Sequence, residues 1–226
     1  AKKIKNIGNL KFSQAEKDED LLNSDLKKFF LSKKIWCAAS THATEEKFCG
    51  LAHKKLKKKY QNLLTIIIPR HINRSKSIMN EMQKLNLKVH MHESKNKIDR
   101  NTDIYLVDSF GKTKSFFKIC KIVFLGGSMI AHGGQNPLEP ARFGCKIIHG
   151  ENIWNFKEIY KLLDTNNISQ KVENLNQMTN KIDKILKNKT NSKNIKSKIK
   201  NLGDKILNLT LKEVNFLLSK NETKKT

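Results

Sequence analysis

The residues best suited to chemistry lie between positions 126 and 140. Gly126-Gly127-Ser128 is followed by His132-Gly133-Gly134-Gln135-Asn136-Pro137-Leu138-Glu139-Pro140. Glycines directly after a strand let backbone N–H groups come close to an oxyanion, because no Cβ stands in the way. Gly127 and Ser128 are therefore candidate phosphate or sugar contacts. Pro137 suits the first turn of a helix. That makes Asn136 a natural N-cap and leaves N–H groups beyond it free to hold a phosphate. Glu139, one turn in, carries the two acceptor oxygens that a ribose diol needs. A glycine turn that merely opens a helix is the alternative reading; the capped helix and its carboxylate favour a nucleotide.

Other positions invite a weaker case. Ser40 and Thr41 follow an apolar run and precede a helix, where phosphate donation and ordinary N-capping fit equally well. Arg70, at a strand end, would reach a base or a phosphate, or form an exposed ion pair. His42, His71 and His132 occupy loops of the same kind, and hydrogen bonding or a structural role suits them better than general-base work. His90 and His92 share a strand face, but no carboxylate or cysteine completes a metal site beside them. No strand-end loop carries Asp-x-Asp, which agrees with chemistry that needs no metal and no cofactor. Lys54, Lys55, Lys57, Lys58 and Lys59 read as a solvated helix face. Their alternative partner is an anionic membrane surface, to which each lysine adds roughly 1 kcal/mol.

These residues need a scaffold to bring them together. Strands are expected at Ile35 to Ala39, Leu63 to Ile68, Val89 to His92, Ile104 to Val107, Ile122 to Leu125 and Lys146 to His149. Helical spacing is expected at Glu45 to Tyr60, Ser75 to Asn86, Thr113 to Cys120, Leu138 to Phe143 and Phe156 to Leu163. Short continuous strands alternating with helices predict an α/β, Rossmann-like parallel sheet with helices on both faces. Such a sheet binds ligands beyond the carboxyl ends of its strands. Residues 40–42, 69–71, 108–112 and 126–136 all follow a strand. The organisation expected is a linker or start of the domain at 1–34, a Rossmann-like domain at 35–170 and a helical tail at 171–226. In the first of these a short apolar piece, Asn9 to Phe12, precedes an acidic and polar stretch. The tail is read as two helices ending in a frayed basic terminus.

Composition removes several classes. The 226 residues carry 45 basic and 21 acidic side chains, a net charge of +24. Only four of the basic residues are Arg, alongside 24 Asn. Readers of nucleic acid lean on Arg for bidentate contacts, so a lysine surplus spread along the chain argues against a nucleic-acid partner. No apolar stretch approaches the ~20 residues of a membrane span. Cys37, Cys49, Cys120 and Cys145 form no CxxC pair, which disfavours structural zinc and favours reduced thiols. The start at Ala1 reads as the middle of a longer protein.

Several segments together carry a resemblance: Gly8-Asn9-Leu10-Lys11-Phe12, Ala38-Ala39-Ser40-Thr41-His42 with Glu45-Glu46, Pro69-Arg70-His71, Asp108-Ser109-Phe110-Gly111, and His132 to Ala141. In this order and spacing the chain resembles the C-terminal half of the bacterial Kdo transferases, from about residue 6 to residue 220. Those enzymes move 3-deoxy-D-manno-octulosonic acid (Kdo) from CMP-Kdo onto the lipid A precursor, lipid IVA, at the cytoplasmic face of the inner membrane. The resemblance implies a GT-B glycosyltransferase. Its N-terminal half, absent from this chain, would hold the acceptor site, a membrane anchor and a catalytic carboxylate. It also implies that the cytidine nucleotide lies against Pro69, Arg70, Phe110, Gly111, Lys112, Asn136, Pro137, Leu138 and Glu139. Lys11 matches a family lysine that stabilises the transition state. One position departs: the family turn usually reads Met-Gly-Glu, whereas here it is Phe110-Gly111-Lys112, which reverses a charge. Three rivals remain: a GT-B transferase using a UDP-sugar, a basic nucleic-acid-binding protein, and a degenerate domain kept for interactions.

Overall fold

The computed structural model describes residues 7–14, 22–188 and 191–222. The apolar runs become strands of one sheet: β1 (Lys34–Thr41), β2 (Leu63–Pro69), β3 (Val89–Met91), β4 (Ile104–Leu106), β5 (Ile122–Leu125), β6 (Lys146–His149) and β7 (Ser169–Lys171). Their order is β3-β4-β2-β1-β5-β6-β7, and every neighbouring pair is parallel. The direction of winding reverses between β1 and β5, so the crevice beyond those two strand ends is the ligand position that such a topology offers.

Both faces of the sheet are covered, which is why the inner strands are apolar at successive positions. The period of two still sorts them. Trp36, Ala38, Leu63 and Ile67 enter one core, while Cys37, Ala39, Leu64 and Ile66 enter the other. The first face is covered by α2 (Glu45–Lys57), α3 (Ser75–Lys84) and α7 (Leu175–Lys187), through Cys49, Ala52, Ile78, Met82, Met178 and Ile182. The second is covered by α1 (Ser24–Leu31), α4 (Thr113–Ile119), α5 (Leu138–Arg142), α6 (Lys157–Thr165) and the long α8 (Ser192–Glu222). The expected fold class holds.

Two elements were not anticipated. α1 lies in what reads as a polar stretch, yet its Phe30 is buried with its ring 5.1 Å from Tyr105 and 6.0 Å from Phe116. Strand β7 is Ser-Gln-Lys at the sheet edge, too short and polar to announce itself. The apolar piece at Asn9 to Phe12 becomes a 3-10 turn, Leu10–Ser13, with Phe12 in the core. The acidic stretch at 15–21 and the basic end at 223–226 lie outside the described residues. Among the described residues no helix is long and apolar enough to cross a membrane, and no His/Cys/Asp/Glu group could hold a metal ion.

Polar buttresses fix the frame away from the crevice. His53, buried in α2, has Nδ1 2.8 Å from the Thr65 hydroxyl and Nε2 3.3 Å from Asp103, whose carboxylate also meets Lys57 at 3.0 Å. On α7, Asp183 accepts from the Tyr60 hydroxyl at 2.8 Å and pairs with Lys59 and Lys187, each at 3.0 Å.

Candidate functional site at the carboxyl ends of the strands

The end of β1 is irregular, and the irregularity builds the crevice floor. A bulge at Ser40, whose φ is 54°, lets Thr41 pair with Pro69 at the end of β2. Arg70 N–H then donates to the Thr41 carbonyl at 3.0 Å, holding the exposed Arg70 side chain at the rim beside buried Pro69. Neither Ser40 nor Thr41 caps a helix, because α2 begins later, with Thr44 at its N-cap position. The Thr41 hydroxyl is buried without a hydrogen-bond partner. On the next strand, Gly126 N–H donates to the Ala39 carbonyl at 2.9 Å. A Cβ on Gly126 would collide with the Ser40 carbonyl and the Thr41 Cα, so only glycine brings the two loops this close.

The amide groups expected to face a phosphate at 127 and 128 already have a partner. The buried Glu45 carboxylate accepts from Gly127 N–H at 2.8 Å, Ser128 N–H at 3.1 Å, Met129 N–H at 3.0 Å and His42 N–H at 2.9 Å. Burial pushes the Glu45 carboxyl above its ordinary value, while the four backbone donors act in the opposite direction. An incoming phosphate would have to displace this carboxylate to use those amides. The Ser128 hydroxyl is equally committed: it donates to Leu125 O at 2.5 Å and accepts from Gly150 N–H at 2.8 Å. Gly127 and Ser128 are thus anchors of the glycine loop through Glu45, a residue that sequence reasoning placed at a helix start and among the segments of the resemblance, with no site role.

Beyond that anchor the loop turns back on itself. Gly134 N–H donates to the Gly127 carbonyl at 2.8 Å, and Gly133 and Gly134 have φ of 95° and 76°. The Asn136 carboxamide accepts from Leu138 N–H at 3.1 Å, as a cap does, although Pro137 stands between it and the first residue of α5. The expected N-cap is therefore displaced by one residue. Leu138 is fully buried and can offer a ligand only its backbone, whereas Asn136 and Glu139 are half-buried.

The remaining expected residues spread around this loop. Phe110 is 75% exposed on a turn made by Gly111 at φ 77°, and Lys112 takes the N-cap position of α4. The neighbouring Ser109 hydroxyl is buried without a partner. Lys11 has its Nζ 5.8 Å from the Phe156 ring, while its carbonyl accepts from Arg142. The histidines that sequence reasoning set aside converge. His42 and His132 have ring centroids 4.2 Å apart, and His71 lies 6.0 Å from His42. Burial, followed by His132, His71, Arg70 and Arg74, lowers His42 to about 4, so its ring is neutral near pH 7. By contrast, His90 and His92 line a separate cavity of about 920 Å³ with Tyr105 and α1, which contains none of these crevice residues.

No protein-family model matches the chain. It is 34% identical over 163 residues to the 3-deoxy-D-manno-octulosonic acid transferase of Haemophilus influenzae, covering 71% of this chain and 38% of that protein. The enzyme of the same name from Rickettsia prowazekii is 32% identical over 185 residues, covering 80% and 39%. The chain thus spans about two fifths of the length of these relatives. Among solved structures, the C-terminal CMP-Kdo binding domain of WaaA from Acinetobacter baumannii superposes with a TM-score of 0.71 at 24% identity, covering 80% of this chain and 93% of that one. Anabaena HepE, solved with UDP and glucose, gives a TM-score of 0.52 at 9% identity over 94% and 55%. By sequence the chain is a relative of the 3-deoxy-D-manno-octulosonic acid transferases, and its fold is that of the C-terminal domain of a GT-B glycosyltransferase.

Proposed function

We propose that this chain is the CMP-Kdo-binding part of a Kdo transferase that acts on the lipid A precursor, lipid IVA. The observation that carries the reading is convergence. Pro69 and Arg70, the Phe110-Gly111-Lys112 turn, and Asn136 to Glu139 come from distant stretches of a sequence related to such enzymes, and all follow parallel strands at their carboxyl ends. In this reading Phe110 offers an exposed aromatic face to the base, and Asn136 and Glu139 take the ribose and phosphate. Arg70 and Lys11 supply positive charge. The reaction expels CMP from the anomeric carbon as an acceptor hydroxyl attacks, so negative charge grows on the phosphate. Cations fixed beside it bind that state better than the ground state. The base that removes the acceptor proton, with inversion at the anomeric carbon, comes from an N-terminal GT-B domain. This chain alone binds nucleotide and does not turn over. The whole enzyme works at the cytoplasmic face of the inner membrane, where the exposed Lys54, Lys55 and Lys58 meet anionic lipid.

Calorimetric titration with CMP and with UMP tests this. Saturable binding of CMP over UMP is expected, weakened about tenfold or more in Arg70→Ala, since a charge-assisted hydrogen bond is worth roughly 1.5–3 kcal/mol. Equal affinity for UMP would assign the crevice to a UDP-sugar instead. Transfer of Kdo by the isolated chain would refute the division of labour between the halves.

A further inference from the structure

We propose that His42 and His132, flanked by His71, form a subsite for the carboxylate of the transferred sugar acid, distinct from the contacts that hold the nucleotide's phosphate. The inference rests on the reading above and extends it to the sugar. Its first support is position. The two rings belong to the loops that follow β1 and β5, the pair between which the winding reverses, and their centroids are 4.2 Å apart. The second is an unfilled valence. His42 Nε2 and Thr41 Oγ1 are buried without hydrogen-bond partners, whereas buried polar groups are ordinarily partnered. An acceptor from a ligand would satisfy the imidazole.

Of the nearby fixed charges, Arg70 favours an anion there, while Arg74 is paired with Glu46. Arg70 and Arg74 act on His42 together with His71 and His132, and all of them oppose its protonation. The acids closest in sequence already have partners, Glu45 within the same two loops and Glu46 on Arg74. Glu45 receives four backbone N–H groups, from His42, Gly127, Ser128 and Met129. Glu46 holds the Arg74 guanidinium with two contacts, at 2.8 and 3.1 Å. Gly127, at φ 65°, keeps the floor open: a Cβ there would lie 2.9 Å from His132 Cδ2 and 3.4 Å from both His42 Cδ2 and Gln135 Nε2.

Chemistry separates carboxylate from phosphate. The phosphate gains charge as it leaves and calls for permanent cations, which Arg70 and Lys11 provide. A sugar carboxylate is ionised at neutral pH and unchanged by the reaction, so imidazoles that donate one hydrogen bond, or take up a proton on binding, suffice for it. An anion bound beside His42 would raise its midpoint from about 4 towards the ordinary histidine value.

The test follows the histidine ring signals by NMR in the full 226-residue chain, on addition of CMP, of free 3-deoxy-D-manno-octulosonic acid, and of its methyl ester. The sugar acid is added both with and without CMP. The expected result is that the acid shifts His42 and His132 and raises the His42 midpoint, and that the ester does neither. His42→Gln and His132→Gln should each weaken the acid about tenfold, leaving CMP affinity within about twofold. His132 is exposed, so its variant keeps the test sound if the His42 variant fails to fold. Equal shifts by acid and ester would overturn the proposal. So would histidines that move with CMP alone and not with the acid, which would reassign them to phosphate. CMP binding with no effect of the acid removes the subsite and spares the nucleotide reading. Binding of the acid without any binding of CMP does the reverse.

Discussion

Thr44 shows what a single residue gives up to position the crevice. Its φ of 77° and ψ of −33° lie where a β-branched side chain is strained, at a cost on the order of 1–3 kcal/mol. The distortion has a consequence one residue later, because it turns Glu45 so that one carboxylate reaches back to His42 N–H and across to the amides of 127–129. Thr44→Gly keeps the turn and removes the steric penalty. It is expected to raise stability by about 1 kcal/mol, a melting temperature higher by about 2–4 °C for a chain of this size. A scan showing no rise, or a fall, would mean that the threonine side chain stabilises the turn in some other way. None of this was legible in the sequence. Glu45 and Glu46 read there as acids in a helix first turn, since three of the four backbone donors to Glu45 lie more than 80 residues away. The glycines at 126–134 were legible as a special loop because their spacing is local, but whose oxygen their amides face is a tertiary fact.

At the scale of elements, α7 is held to the rest by a polar clasp as well as by Met178 and Ile182. Burial alone would raise Asp183, but the Tyr60 hydroxyl, Lys59 and Lys187 outweigh it and pull the carboxyl down to about 2. The folded form therefore keeps Asp183 ionised at pH values where the unfolded chain, with an ordinary aspartate near 3.9, has already taken up a proton. The stability it contributes is complete above about pH 4 and is lost as the pH falls towards 2. Asp183→Asn should lower stability at pH 7 by about 1–2 kcal/mol, and its melting curve should converge on that of the unchanged chain near pH 2. A difference that persists at pH 2 would assign the loss to packing. Strands β1, β2, β4, β5 and β6 were legible because each is a buried apolar run bounded by polar residues. β7 and α1 were not. β7 exists because the edge of β6 offers a ladder to almost any short segment. α1 is fixed by Phe30 against Tyr105 and Phe116, a contact no local pattern reports.

At the scale of the whole molecule, the apolar stripe of α8 outlasts the domain that it covers. Ile195, Ile199 and Ile206 are buried in the core, but Leu207, Leu211, Val214 and Leu218, spaced four, three and four residues apart along one line of the helix, are 38, 50, 45 and 57% exposed. A helix at that spacing presents a continuous face, and so wide an apolar stripe is ordinarily covered by protein. The function proposed above would make the N-terminal GT-B domain that cover. Two properties must then separate. Leu211→Lys with Leu218→Lys should leave the melting temperature of this chain almost unchanged, because exposed substitutions ordinarily shift stability by no more than about 0.5 kcal/mol. The same pair in the full-length enzyme should reduce Kdo transfer, since charge would be forced into the junction that aligns the nucleotide half with the catalytic base. Full transfer by the double variant would mean that this face is not the junction, and that the two halves are aligned by the crevice loops alone.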